Sequence, residues 1–193
     1  KEFSLGLNRR RFLYLSGIVA GTALTGCTAP GPRFKLPSQK LNIAAIGVGG
    51  KGASDVAGCE KENIVAICDV DETTLNKSAQ RYPGAKKYRD YREMLEKQKD
   101  IDAVIVSTTD HHHFLASMLA IENGQHVYCQ KPLTHSIWEA RELTRAARRK
   151  GVATQMGNQG HCGEGVRELC EMIWSGVIGD VREGHSWTDR PIW

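Results

Sequence analysis

The sequence predicts an α/β fold, a doubly wound parallel sheet with helices on both faces, and three observations carry the prediction. Strand-like apolar runs alternate with helix-like segments between residues 41 and 157, a pattern that implies right-handed crossovers and parallel strands. The first run, Leu41 to Ile46, leads into Gly47-Val48-Gly49-Gly50-Lys51-Gly52, the Gly-x-Gly-x-x-Gly turn that opens a helix in a dinucleotide-binding unit. The next run, Ile64 to Cys68, ends in Asp69, at about the 20-residue distance where such a unit places a carboxylate.

The turn assigns a task to each glycine. Gly47 permits the sharp exit from the strand, Gly49 lets backbone approach a pyrophosphate, and Gly52 lets helix and strand pack closely; Gly50 belongs to the same phosphate-binding turn. Phosphates would sit on unpaired N–H groups at the helix N-terminus. Asp69 would accept the adenosine ribose hydroxyls and repel a 2′-phosphate, which favours NAD over NADP. The competing reading is a glycine-rich turn beside a helix-capping aspartate, and the spacing argues against it.

The elements follow in order: strand 41–46, helix 51–59, strand 64–68, helix 72–81, a short helix near 90–97, strand 103–106, helix 111–122 with Asp110 as its N-cap, strand 126–129, helix 136–149 and strand 152–156. The strands should be apolar throughout, because helices cover both faces of such a sheet. After Met156-Gly157-Asn158 the pattern changes. A helix over 163–175 is closed by Gly176, a left-handed cap, and Val181 to Trp187 then alternates at period two, as a strand with one open face does. Residues 41–157 therefore form the Rossmann-type dinucleotide domain. Residues 158–193 begin a second, α+β domain with a largely antiparallel sheet.

Composition bounds the rest. The chain has 193 residues and a net charge of +4, with no basic stripe interleaved with aromatics, which argues against a nucleic-acid partner. Arg9-Arg10-Arg11-Phe12-Leu13 matches a twin-arginine export signal, and the apolar segment 12–26 is shorter than the roughly 20 residues of a membrane-spanning helix. Leu24-Thr25-Gly26-Cys27 resembles a lipobox, so Cys27 is the expected lipidation site; the alternative is a plain export signal cut nearby. Residues 1–27 thus read as a signal peptide and 28–40, rich in proline, as a linker. The expected location is periplasmic or membrane-anchored, with membrane contact only through signal or lipid. Because the chain starts at Lys1 and stops just after a strand-like segment begins, it reads as an N-terminal fragment. Without C-x-x-C spacing, the other cysteines are expected as free thiols.

Ligands of a doubly wound sheet bind outside the carboxyl ends of its strands. The loops there hold Ser107-Thr108-Thr109-Asp110-His111-His112-His113, Gln130-Lys131-Pro132 and Asn158-Gln159-Gly160-His161. Three consecutive histidines do not make a metal site, because neighbours on a helix face different directions and metal ligands must converge; no metal is expected. His111 and His113 are placed near the cofactor or its rim. His161 is placed at the domain junction, as a substrate contact or a structural histidine.

With these motifs in this order, the chain resembles the glucose-fructose oxidoreductase / inositol dehydrogenase (Gfo/Idh/MocA) family, in particular its exported twin-arginine members. The resemblance covers about residues 41 to 193 and includes the helix ending Gly176-Val177-Ile178-Gly179-Asp180-Val181. It maps the family's Glu-Lys-Pro motif onto Gln130-Lys131-Pro132. It therefore implies that Lys131, with Thr108, His113 and Gln130 around the cofactor, reaches between nicotinamide and substrate hydroxyl; His161, by its place at the domain junction, is the second candidate catalytic residue. The implied activity is hydride transfer between the carbinol of a sugar, polyol or sugar derivative and tightly bound NAD, in a protein that is homo-oligomeric at full length.

Two departures stand out. Gln130 replaces the usual glutamate, so the negative charge expected beside Lys131 is missing, which favours a lower lysine pKa. Thr109 replaces a common proline and loosens its turn. Export in the folded state gives a reason to carry the dinucleotide along, and a retained cofactor must be regenerated on the protein. That keeps open glycoside cleavage by transient oxidation and elimination. A non-catalytic sugar-binding lipoprotein on the same scaffold is the alternative from another class, and Lys131 argues against it. The resemblance places the catalytic histidine or tyrosine and the substrate-holding sheet in the second domain, so the fragment alone should be inactive.

Overall fold

A computed structural model describes residues 39–188. Six strands, β1 (Asn42–Ile46), β2 (Asn63–Cys68), β3 (Lys86–Tyr88), β4 (Ala103–Val106), β5 (His126–Gln130) and β6 (Thr154–Gly157), form one sheet in the order β3-β2-β1-β4-β5-β6. All five pairings are parallel. That order reverses direction between β1 and β4, the switch point at which doubly wound sheets open a crevice.

Successive side chains of a strand point to opposite faces, and β1 buries both. Ala44 and Ile46 pack with Val104, Val106, Met94 and Ile121 on one side. Ile43 and Ala45 pack with Ile67, Ile105, Val56 and Leu75 on the other. The helices are α1 (Gly50–Gly58), α2 (Glu72–Arg81), α3 (Tyr91–Lys97), α4 (His113–Glu122), α5 (Ile137–Lys150) and α6 (Glu164–Trp174). Their starts are written in the sequence: Asp71 and Asp90 cap α2 and α3 by accepting from Thr73 N and Arg92 N, and Ser136 with Glu139 forms a capping box on α5.

Several expectations need correction. Asp110 is not an N-cap: it begins a 3₁₀ turn, Asp110–His112, and α4 starts only at His113. Strand β3 was not expected, since Lys86-Lys87-Tyr88 is short and polar; it sits on the sheet edge and, among the described residues, pairs only with β2. At the opposite edge, Thr154, Gln155 and Met156 of β6 are exposed rather than buried between helices. Residues 181–188 carry no regular structure. A strand needs a ladder partner, and none of the described residues supplies one to Val181–Trp187. Helix α6 ends as expected, with Gly176 at φ 75°. Among the described residues no helix is long and apolar enough to cross a membrane, and Cys59, Cys68, Cys129, Cys162 and Cys170 are free thiols. The twin-arginine segment, Cys27 and nearly all of the 28–40 linker lie outside the described residues.

Candidate functional site

The glycine turn closes tightly against the switch point. Gly47 has φ 79°, a left-handed value that favours glycine, and a Cβ there would lie 2.6 Å from Ser107 O at the end of β4. A Cβ on Gly52 would lie 2.0 Å from Gly47 O, so only glycine lets α1 begin directly over the turn. Gly49 instead faces the Thr74 methyl of α2, and Gly50 faces open space. Helix α1 has no side-chain cap and no acidic residue in its first turn. Its first N–H groups are therefore left for an external anion, the arrangement that binds phosphate.

Asp69 is fixed beside that turn. Its Oδ2 accepts from Val48 N at 2.9 Å and its Oδ1 from Asp71 N at 3.0 Å, so the carboxylate is oriented before any ligand arrives. Gly47, Gly49, Asp69, Ser107 and Thr108 line one cleft of about 460 Å³, a volume in the range of small-molecule sites. Arg89 also reaches this cleft, but its guanidinium is held by Glu72 at 3.1 Å and Val70 O at 3.4 Å. A glycine cradle that added Cβ atoms would fill, an open helix N-terminus and an oriented carboxylate all fit a dinucleotide. Beneath the cleft, burial pushes the Cys68 thiol up to about 12, with Asp69 and Asp90 adding to the effect, so this cysteine stays protonated.

His113 is not at the cofactor rim. It is 1% exposed, with Nδ1 2.6 Å from Pro132 O and Nε2 3.0 Å from Thr108 O. Carbonyls only accept, so both ring nitrogens must donate and the ring is an imidazolium. The neighbouring Cys129 side chain, together with these carbonyls, raises its pKa from 6.5 to about 9 against the opposing effect of burial. His113 thus ties the Thr108 loop to the Lys131-Pro132 turn. His111 is exposed and meets His112 edge to face at 5.3 Å, while His112 meets Tyr91 in the same way at 6.1 Å. His113 is turned away from this pair, onto the two carbonyls.

Lys131 is exposed at the end of β5, ahead of a cis bond to Pro132. Gln130, by contrast, is buried, pointing away from the cleft toward α1. There Asp55 Oδ2 accepts both the Gln130 amide at 2.8 Å and the Ser107 hydroxyl at 2.7 Å. That carboxylate, whose side chain is 5% exposed, also pairs with Lys51 Nζ at 2.7 Å, so Gln130 is backed from α1 by a buried acid. Ser107 belongs to a loop that the sequence places at the site, but nothing singles out Asp55, because its meeting with Ser107 and Gln130 depends on the β1/β4/β5 neighbourhood. His161 lies exposed on a 3₁₀ turn, Gln159–Cys162, which is anchored by Gln159 Nε2 donating to Tyr128 OH at 2.8 Å.

Fold and site together define a dinucleotide-binding Rossmann domain of the kind that carries redox chemistry. The chain belongs to the oxidoreductase family Gfo/Idh/MocA, and residues 41–158 match that family's NAD-binding Rossmann fold. It is 27% identical to a glycosyl hydrolase family 109 protein of Akkermansia muciniphila over 95% of this chain and 47% of that protein. It is 28% identical to an inositol 2-dehydrogenase of Salmonella typhimurium over 72% of this chain and 43% of that protein. Among solved structures, an NAD-binding oxidoreductase of Klebsiella pneumoniae superposes with a TM-score of 0.63 at 30% identity, over 72% of this chain and 40% of that one. The chain thus spans less than half the length of each of these proteins.

Proposed function

We propose that the full-length protein is an NAD-dependent oxidoreductase acting on the carbinol of a sugar, polyol or sugar derivative. The observation that carries this reading is the shared edge: the glycine turn, Asp69, Thr108 and Lys131 all follow carboxyl ends of adjacent parallel strands, where such sheets bind ligands. The open N–H groups of α1 and the Thr108 loop hold the pyrophosphate, and Asp69 holds the adenosine ribose. Lys131 makes no side-chain bond among the described residues, so its ammonium is available to position the substrate hydroxyl and to take part in its proton transfer. His161 is a second substrate-facing group. When bound, NAD supplies the hydride acceptor.

Inositol 2-dehydrogenase among the relatives supports this reading. The test adds myo-inositol and a panel of aldoses to full-length protein loaded with NAD and follows the near-ultraviolet absorbance of NADH. A second reading, glycoside cleavage by transient oxidation, is favoured by one observation: the family 109 relative aligns with 95% of this chain, the dehydrogenase with 72%. Aryl glycosides separate the two, since cleavage releases the phenol without net NADH. Export by the twin-arginine route and lipidation at Cys27, supported by Arg9 to Leu13 and Leu24 to Cys27, complete the proposal, with homo-oligomerisation taken from the family resemblance.

A further inference from the structure

Asp55 gathers three donors. Lys51 Nζ reaches its Oδ1 at 2.7 Å, and Ser107 Oγ and Gln130 Nε2 reach its Oδ2. A carboxylate accepts only, so the Gln130 amide must present its NH₂ to Asp55. The remaining Gln130 Oε1 then faces the Lys131 N–H, at 3.4 Å. Gly157 walls the other side, where a Cβ would come within 2.9 Å of the Gln130 amide. The amide is therefore held from three directions, and a second carboxylate in its place would face Asp55 with no donor between them.

We propose that Asp55 is a positioning residue for Lys131: it forms a matched carboxylate and amide pair with Gln130 that fastens the Lys131 turn to the helix carrying the glycine turn. Helix α1 then sets both ends of the site, its N-terminus at the phosphates and its second turn at Lys131. The proposal rests on the reading of Lys131 given above, and it predicts that one carboxylate belongs at this junction, on either side of it.

The test compares Gln130→Glu, Asp55→Asn and the exchanged pair Asp55→Asn/Gln130→Glu in the full-length protein. Two readouts are taken: the thermal midpoint against pH, and the protection that NAD gives the Lys131 amine against acetylation, by peptide mass spectrometry. Gln130→Glu alone should lower the midpoint at about pH 8 and recover at about pH 5, because two carboxylates sharing a site hold one proton. It should also lose NAD protection of Lys131. The exchanged pair, with one carboxylate and one amide, should bring the midpoint back toward wild type at both pH values and restore NAD protection of Lys131 to within about twofold of wild type, as coupled neighbours do. Additive losses in the exchanged pair, or a Gln130→Glu protein with unchanged protection and no pH dependence of its own, overturn the proposal. If NAD does not protect Lys131 in the wild type, the reading of Lys131 fails instead, and the thermal cycle alone decides whether the pair is matched.

Discussion

Val48 N donates to Asp69 Oδ2 at 2.9 Å, so the glycine turn itself aims the carboxylate proposed to select NAD. Replacing Asp69 by alanine removes both the acceptor for the ribose hydroxyls and the repulsion of a 2′-phosphate. NAD affinity in the full-length protein should fall about tenfold, the scale of a lost charge-assisted hydrogen bond, and the NAD to NADP preference should narrow. Titrating both nucleotides against wild type and variant checks this. Equal binding of the two by the wild type contradicts the role of Asp69.

His113 makes stability depend on pH. Its folded pKa, about 9, lies above the ordinary 6.5, so its contribution is fully present below about 6.5 and is lost as pH rises through about 9. The thermal midpoint should fall across that window, and His113→Asn should flatten the fall while lowering the midpoint below it. A wild-type profile that is level from pH 7 to about 10 removes the imidazolium from the account.

Gly52→Ala tests the close approach at the turn. Its Cβ would lie 2.0 Å from Gly47 O and 3.2 Å from Ser107 Cβ, contacts that backbone must move to relieve. Overpacking of this kind costs about 1–3 kcal/mol, and here it also displaces the phosphate-binding N–H groups. Gly58→Ala, at the end of the same helix and with nothing within 4 Å of the new Cβ, serves as the control. Chemical denaturation should show a loss for the first and little change or a gain for the second.

These residues also show how far the sequence could be read. Gly47, Gly52 and Asp69 were legible because each is fixed by local chemistry: a backbone conformation, a contact along one turn, and a spacing. The helices over 72–81 and 136–149 and the inner strands were legible from their patterns, but the caps Asp71 and Ser136 were not singled out, and the one cap expected, Asp110, opens a 3₁₀ turn instead. Strand β3 was not, because Lys86-Lys87-Tyr88 owes its conformation to pairing with β2 rather than to its own side chains. His113 looked like a site residue because its turn follows the carboxyl end of β4, and only the packing of α4 against β4 and β5 turned it inward. Gln130 looked like the loss of a charge. Its amide instead donates to Asp55, 75 residues earlier in the chain, and no local pattern links the two.

Lipid attachment is checked in a bacterial host. Cys27→Ser should release the exported protein from the membrane fraction, since a single acylated cysteine behind a short apolar segment is what anchors it. Wild-type protein recovered soluble and cut elsewhere removes the lipobox from the account.

The central claim is that Lys131 serves the reaction while the glycine turn and Asp69 hold the dinucleotide without it. The most direct measurement is single-turnover reduction of bound NAD by full-length Lys131→Met, with a polyol that the wild type oxidises. NAD affinity should stay within a few-fold of wild type, and the rate should fall by about 10²–10⁴, the usual cost of losing a placed proton-transfer group. A variant that reduces NAD at nearly the wild-type rate contradicts the claim.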